Sequence, residues 1–253
     1  MKAPERLRRI EGLIGQHEFL DLAALARELN ASESTVRRDL DQLDAKGVLK
    51  RTHGGAMAVE HKAVEPSFLM RDTRQPGEKD LIGRAAAALV QDGMAIIIDG
   101  GTTAYHVVKH LGGKRIQVIT NSLPVANLLS NSSNFETIIT GGFIYPRLGM
   151  LLGPLAEESL AKVHVDIAFM SGGGITAEGV TNSNNLIVAA QLKMMAAASR
   201  VVFCLDHTKF GRHALSFCAP LDEVHTVITD KATPRSQVAM LQKHGIEVIV
   251  AKG

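Results

Sequence analysis

The chain has 253 residues, of which 45% are hydrophobic and 21% charged, with a formal net charge of +2. Such a chain can bury a sizeable core as one large domain or two unequal ones, which excludes a disordered protein, a fibre and a disulfide-stapled miniprotein. The small net charge selects no partner; two cysteines, Cys204 and Cys218, suit a reducing compartment and make neither a disulfide framework nor a zinc site, and zero Trp with two Tyr leaves few platforms for stacking single-stranded bases.

Residues 1–47 carry three amphipathic helical segments. Leu7, Ile10 and Ile14 mark the first. Leu22, Leu25, Ala26 and Leu29 mark the second, with Asp21 placed to cap it, and Val36, Leu40 and Leu43 mark the third, with Ser32 as cap. At about 100° per residue, the face opposite the last apolar stripe carries Ser34, Arg38 and Asp41, flanked by Thr35, Arg37 and Gln42. The turn Asn30-Ala31-Ser32 is short enough to set the second and third helices at a steep angle. That is the helix-turn-helix geometry in which the later helix enters the major groove.

Beyond Gly47, residues 48–52, a His53-Gly54-Gly55 turn and residues 56–59 read as a hairpin, a wing beside the third helix. Lys46, Lys50, Arg51 and His53 form a stretch without an acid, suited to phosphate contact, and bare glycines such as Gly54 let backbone N–H groups approach a phosphate. Residues 1–62 hold 11 Lys and Arg against 10 Asp and Glu, so bulk charge does not select DNA. A three-helix module with a hairpin equally suits protein contacts.

The texture changes between residues 58 and 79. We expect a DNA-binding domain at 1–58, a connector at 59–79 carrying Pro66 and Pro76, and a larger domain at 80–253. In the latter, apolar runs at 94–98, 116–119, 137–139, 167–170, 201–205, 224–228 and 247–250 read as strands, mostly continuous as if covered on both faces. Segments of helical period lie between them at 81–90, 104–111, 124–129, 155–161, 186–198 and 236–244. Strand and helix in alternation predict an α/β domain with a mainly parallel sheet, whose ligands bind beyond the carboxyl ends of the strands. No apolar run reaches the roughly 18 residues that cross a bilayer, and the charged N-terminus lacks the apolar stretch of a signal peptide, so a cytoplasmic protein with no membrane partner is expected.

Five polar or glycine-rich loops follow these strands: Asp99-Gly100-Gly101-Thr102-Thr103, Thr120-Asn121-Ser122, Thr140-Gly141-Gly142, Ser171-Gly172-Gly173-Gly174 and Asp206-His207-Thr208-Lys209. In the first, glycines admit an anion, Thr102 and Thr103 donate, and a helix begins; Lys209 adds a mobile cation. A small phosphorylated polyol is the natural guest. Each loop taken singly reads more readily as a tight turn, but five together at strand ends with a lysine favour a site; Gly100 and Gly101 lack the spacing of a dinucleotide site. His106 and His110 lie four apart but have no third ligand, so no metal or other cofactor is expected. Met194-Met195 and Cys204 read as core.

Residues 6–58 closely resemble the helix-turn-helix of the DeoR family of bacterial transcriptional regulators, on Ser34-Thr35-Val36-Arg37-Arg38-Asp39-Leu40, Leu43, Gly47, Leu49 and Arg51-Thr52-His53-Gly54-Gly55-Ala56. The resemblance implies that Ser34, Thr35, Arg37 and Arg38 lie in or along the major groove and that Arg51 and His53 grip the backbone. The larger domain resembles the DeoR-type sensor, whose fold is similar to ribose-5-phosphate isomerase, through the Asp99 and Thr120 loops and Asp206-x-Thr208-Lys209-Phe210-Gly211. This implies a sugar-phosphate effector at these loops, with Lys193 as a further contact; Gly172 and Gly173, in another of the strand-end loops, are expected beside it. Tyr145 stands where many relatives have an arginine, and Arg147 lies two residues on.

The isomerase-like acidic loop here reads Ser171-Gly172-Gly173-Gly174, and Gln191-Leu192-Lys193 carries no Glu, whereas aldose–ketose isomerisation needs a carboxylate to shuttle the proton. The expected protein is therefore not an enzyme but a repressor of carbohydrate-metabolism genes. It binds double-stranded operator DNA as at least a dimer, since one winged helix offers too few contacts. The alternatives are a sugar-phosphate isomerase-like enzyme with an accessory helix-turn-helix domain and a protein-interaction module.

Overall fold

The computed structural model describes residues 3–14, 19–46, 48–52, 54–58 and 66–252. They divide into two compact units, Met1–Thr73 and Arg74–Gly253.

The first unit contains α1 (Ala3–Ile14), β1 (Phe19–Asp21), α2 (Leu22–Glu28), α3 (Glu33–Ala45), β2 (Leu49–Thr52), β3 (Gly55–Ala58) and α4 (Phe68–Asp72). The expected helical stripes do bury one core, with Ile10, Leu25, Leu29, Val36, Leu40, Leu43 and Leu49 almost fully enclosed. Both expected caps form: Asp21 Oδ1 accepts the Ala24 N–H at 2.9 Å and Ser32 Oγ accepts the Thr35 N–H at 3.3 Å. Between α2 and α3, Asn30 takes a positive φ of 47°, which asparagine tolerates better than most residues.

The wing is antiparallel, β2 on β3, and gains a third strand that periodicity does not show, β1. A Cβ on Gly55 would lie 1.9 Å from Leu20 O, so only glycine allows β1 to pair there. His53, Gly47 and residues 59–65 of the expected connector lie outside the described residues, and the rest of that connector holds α4 and the first turn of α5.

One ion pair lies within this core. Arg6 of α1 meets Asp39 of α3 through Nε and, at 3.1 Å, through a terminal nitrogen, with both side chains about nine-tenths buried. The hydrogen bond to Asp39 holds the Arg6 pKa above its ordinary value.

The second unit runs α5 (Pro76–Ala87), β4 (Ala95–Ile98), α6 (Thr102–Val108), β5 (Ile116–Thr120), α7 (Leu123–Leu129), β6 (Phe135–Ile139), β7 (Phe143–Tyr145), β8 (Met150–Leu152), α8 (Pro154–Ala161), β9 (Val165–Met170), β10 (Gly174–Thr176), β11 (Gly179–Asn182), α9 (Asn185–Ala196), β12 (Ala198–Cys204), β13 (Ser216–Ala219), β14 (Thr226–Asp230), α10 (Arg235–Lys243) and β15 (Glu247–Ala251). All seven expected strands form one parallel sheet, ordered β15-β14-β12-β9-β4-β5-β6. Alternate residues along each strand feed two cores, Ile97, Ile119, Met170 and Phe203 on one face and Ile96, Ile98, Phe169 and Val202 on the other.

Coverage on both faces fails for β6. It is an edge strand, and Glu136, Ile138 and Ile139 are exposed. The antiparallel pieces β7-β8 and β10-β11-β13 were not expected; at three or four residues each they are too short to show a period. Both cysteines are buried, and burial pushes the thiols up, that of Cys218 to about 12.

Replacing Arg6 with Met strands the Asp39 carboxylate in the first core, at an expected cost of about 3–5 kcal/mol to that unit. Amide exchange in α1 and α3 should accelerate accordingly, and Arg6→Met with Asp39→Leu should recover most of the loss. Unchanged exchange in Arg6→Met would show that the pair contributes nothing.

Candidate functional site

The expected reading face of α3 is laid out as its period requires. Ser34, Arg37, Arg38, Asp41 and Gln42 are exposed and Thr35 is half-buried, while Val36, Asp39, Leu40 and Leu43 turn inward. The cap hydroxyl of Ser32 also bonds Ser34 Oγ and Thr35 Oγ1, each at 2.9 Å, which fixes the first turn.

On the wing, Lys50 and Gly54 are exposed and Arg51 is half-buried. The stretch that lacks acids in sequence acquires one in space: Asp41 of α3 pairs with Arg51. That pair aligns the wing with the helix and leaves the other guanidinium N–H groups for an anion. Gly54 O accepts the Leu22 N–H at 2.9 Å, tying the wing turn to the start of α2.

In the second unit the parallel order brings the five loops to one edge of the sheet. Asp99, 2% exposed, accepts through Oδ2 from Ser171 N–H at 2.9 Å and from Gln191 Nε2 at 3.1 Å. The Gln191 amide also donates to Ser171 O at 2.7 Å, and its Oε1 accepts from Asn182 Nδ2 at 2.9 Å and from the Cys218 thiol at 3.5 Å. Ser171 Oγ accepts the Ala104 N–H of α6 at 3.2 Å. Gln191 thus joins the ends of β4, β9 and β11. The sequence marks Gln191 only by the absence of a Glu, and nothing local in it signals this junction.

Several expected contact residues have structural duties here. A Cβ on Gly101 would meet Ser171 Cβ at 2.2 Å, so packing alone demands that glycine, whereas one on Gly100 would meet the Met150 side chain, nearest at Cε at 2.5 Å, which would have to move aside. Thr120 Oγ1 donates to Ile98 O at 2.7 Å and accepts the Ser122 N–H at 3.0 Å, while Ser122 Oγ caps α7 by accepting the Val125 N–H at 3.3 Å.

Thr102 and Thr103 are buried at the start of α6, and Gly172 and Gly173 are half-buried, with the Gly173 N–H donated to Thr181 O at 2.8 Å. Asn121 Nδ2 donates to Leu151 O at 3.2 Å. Its Oδ1 and the Thr140 hydroxyl are buried with no hydrogen-bond partner.

After β12, Asp206 Oδ1 accepts from the Thr208 N–H at 3.0 Å, and half-buried Lys209 ends a short 3-10 turn. His207 donates its N–H to Asp230 Oδ2 at 2.7 Å and sets its ring 3.1 Å from that carboxylate. Lys193 is exposed, about 200° around α9 from Gln191, so the structure does not bring it to the Asp99 network. His106 is buried and His110 bonds Asp80 at 2.8 Å, a hydrogen bond that holds the Asp80 carboxyl below its usual range. Among the described residues, no group of three or more His, Cys, Asp or Glu could hold a metal, and no helix is long and apolar enough to cross a membrane.

Two family profiles match the chain, the DeoR-like helix-turn-helix domain over residues 6–62 and the DeoR C terminal sensor domain over residues 74–231. The chain belongs to the DeoR family. Among its relatives, the uncharacterized HTH-type transcriptional regulator YulB of Bacillus subtilis is 32% identical over 249 residues, covering 98% of this chain and 96% of the relative. The HTH-type transcriptional repressor GlcR of the same organism is 32% identical over 253 residues, covering 100% and 98%. Ribose 5 phosphate isomerase A from Neisseria gonorrhoeae aligns with a TM-score of 0.36 at 16% identity, over 52% of each chain. This DeoR-family protein is thus a helix-turn-helix transcription regulator with a sensor domain.

In this DeoR-type sensor, Gln191→Glu sets a second carboxylate beside that of Asp99, so one of the two must hold its proton to a higher pH than an ordinary carboxyl. A group whose folded pKa is raised in this way costs stability as pH rises. The variant should melt near the wild-type temperature at about pH 5 and several degrees lower at about pH 8. Calorimetry at both values checks this, and equal gaps would show that the two groups do not meet.

Proposed function

We propose that this DeoR-family protein is a repressor of carbohydrate-metabolism genes whose affinity for double-stranded operator DNA is set by a phosphorylated sugar. Residues 1–58 read the operator, 59–79 connect, and 80–253 sense. One observation carries the first half of this reading: Ser34, Arg37, Arg38 and Gln42 stand exposed on one helix, flanked by a wing whose Arg51 pairs with Asp41 of that helix and whose Lys50 is exposed. Side chains at the base edges give sequence discrimination, and the wing cations, with His53 and Gly54, hold phosphates.

The sensing half is supported by the convergence of the Asp99, Asn121 and Lys209 loops at the carboxyl edge of a parallel sheet, where α/β domains take ligands. Lys209 supplies the charge for phosphate, Gly100, Gly101, Thr102 and Thr103 the cradle, and Thr120, Asn121, Ser122, Gly172 and Gly173 the walls. The protein binds this guest without turning it over: an amide, Gln191, faces Asp99, and an amide does not shuttle protons. Effector and operator are then linked reciprocally through an assembly of at least two chains, by a coupling of about 1–3 kcal/mol. The name of GlcR supports the repressor sign.

The test uses a duplex selected from a random pool by the full chain. Affinity should fall steeply with salt. Arg38→Ala should narrow the ratio of selected to random duplex by roughly 10-fold or more, whereas Arg51→Ala should weaken both alike and flatten the salt slope by about one unit. Lys209→Ala should abolish release by pentose and hexose phosphates while leaving duplex affinity unchanged. Undiminished release would misplace the phosphate site, and measurable conversion of any sugar phosphate would make the protein an enzyme.

A further inference from the structure

Strand β6 closes one side of the seven-stranded sheet, and among the described residues no strand pairs with its outer edge. Edge strands that remain in water are usually blunted by charge, proline or a covering element. The strand Phe135-Glu136-Thr137-Ile138-Ile139 carries a single charge, and Glu136 accepts from Gln117 Nε2 on β5 at 2.7 Å, toward the sheet interior. Ile138 and Ile139, on opposite faces, are 45% and 42% exposed.

Four more apolar side chains continue the surface: Leu128 of α7 (41% exposed), Phe143 and Ile144 of β7 (49% and 55%) and Leu155 of α8 (63%). They form one band. Helix α7 lies against β6. Gly141, two residues beyond the strand, brings its Cβ position within 3.4 Å of Leu155 Cβ, and the Phe143 ring lies 2.7 Å from the Cβ position of Gly153, just before α8. With each side chain exposing on the order of 80–100 Å², the band offers about 500 Å². That is more than half of the ~800 Å² each partner gives to a stable interface.

We infer that this band is the contact between two copies of the chain, their β6 edges meeting antiparallel across a two-fold axis. Pairing centred on Thr137 sets Phe135 opposite Ile139 and Glu136 opposite Ile138 of the second copy, so no like charges face each other. Isologous pairing of this kind closes on itself and leaves neither β6 edge open. The band supplies its own complement, an apolar edge for an apolar edge. The opposite side of the sheet, at β15, exposes one large apolar residue, Val250, and the rival patch on and beside β13 exposes Leu215 and Phe217.

The interface gives the sensor a route outward. Thr140-Gly141-Gly142 leaves β6 at the carboxyl edge and runs directly into Phe143, so a guest that reshapes this loop changes how two copies meet. That regulatory consequence rests on the function proposed above, whereas the interface itself does not.

Sedimentation velocity of the full chain, without DNA or sugar phosphate, tests the interface. The wild type should sediment as a dimer or an even multiple at micromolar concentration. Ile139→Lys and Ile144→Lys, at exposed positions, should keep the wild-type circular dichroism and melting temperature while dissociating at least 100-fold more readily. Leu215→Lys should keep the wild-type mass. A monomeric wild type, edge variants of unchanged mass, or dissociation by Leu215→Lys alone would each overturn the inference.

Should the edge variants unfold, amide exchange of wild-type β6 decides the matter. Its outward N–H groups must become protected as concentration rises, and fast exchange at every concentration removes the interface. Edge variants of unchanged mass would remove this interface and leave the operator-binding reading intact, a monomeric wild type would remove the two-chain linkage as well, and failure of duplex binding leaves this result intact.

Discussion

Seven strands running the same way leave their carboxyl ends on one edge, and the sensor unit depends on that parallel order. The order brings Ser171 and Gln191, 72 and 92 positions from Asp99 in sequence, onto a single carboxylate. A carboxylate so deeply buried is tolerable only where donors meet it. Strand order and donor set are therefore mutually dependent, because sliding β9 past β4 would leave the charge without its amides. Gln191 is enclosed by the same logic, with both ends of its amide bonded to groups from different strands. The loops inherit a defined geometry because the network behind them has one arrangement that satisfies every member.

The amino-terminal unit uses two ion pairs to fix one helix from two sides. Asp39 turns inward to Arg6 of α1, and Asp41, about 200° around α3, turns outward to Arg51 of the wing. Helix α3 is thereby held against the core and aligned with the hairpin, and the side chains between these anchors stay exposed. These pairs cancel equal numbers of bases and acids, so the near balance of 11 and 10 in residues 1–62 is untouched by them; what distinguishes the face that α3 presents is placement, with Arg37 and Arg38 exposed while Asp39 turns inward and Asp41 is paired.

Local signals were legible in the sequence and long-range ones were not. The caps Asp21 and Ser32 act within three residues, and each of the seven apolar runs marks its own strand, so both are visible locally. Strand β1 was hidden because three residues show no period, and the need for Gly55 comes from Leu20 O across the pairing, not from its own turn. Gly100 and Gly101 suggest room for an anion, yet Ser171 already requires Gly101 and the Met150 side chain already fills the space beside Gly100. Asp41 lies ten positions before Arg51, so a stretch counted as free of acid has one beside it. Continuous hydrophobicity suggested two covered faces for β6, because a strand at the rim of a sheet and one at its centre can share a composition while differing in what lies next to them.

The polar groups of the strand-end loops differ in how fully they are engaged, and the difference has a direction. Thr120, Ser122 and the Asp206 carboxylate are all tied to nearby backbone, and Asn121, whose Oδ1 is buried without a partner, is still held through Nδ2 by Leu151 O. After β6 the Thr140 side chain has no such hold: its hydroxyl is buried without a partner, which costs on the order of 1–3 kcal/mol. A segment that starts from an unmet hydrogen bond loses less on rearranging than one whose bonds are all made. The loop with the least to lose is also the one that runs from the carboxyl edge into the exposed apolar band. Change at that edge of the sheet therefore meets its lowest resistance on the side where a second copy would sit.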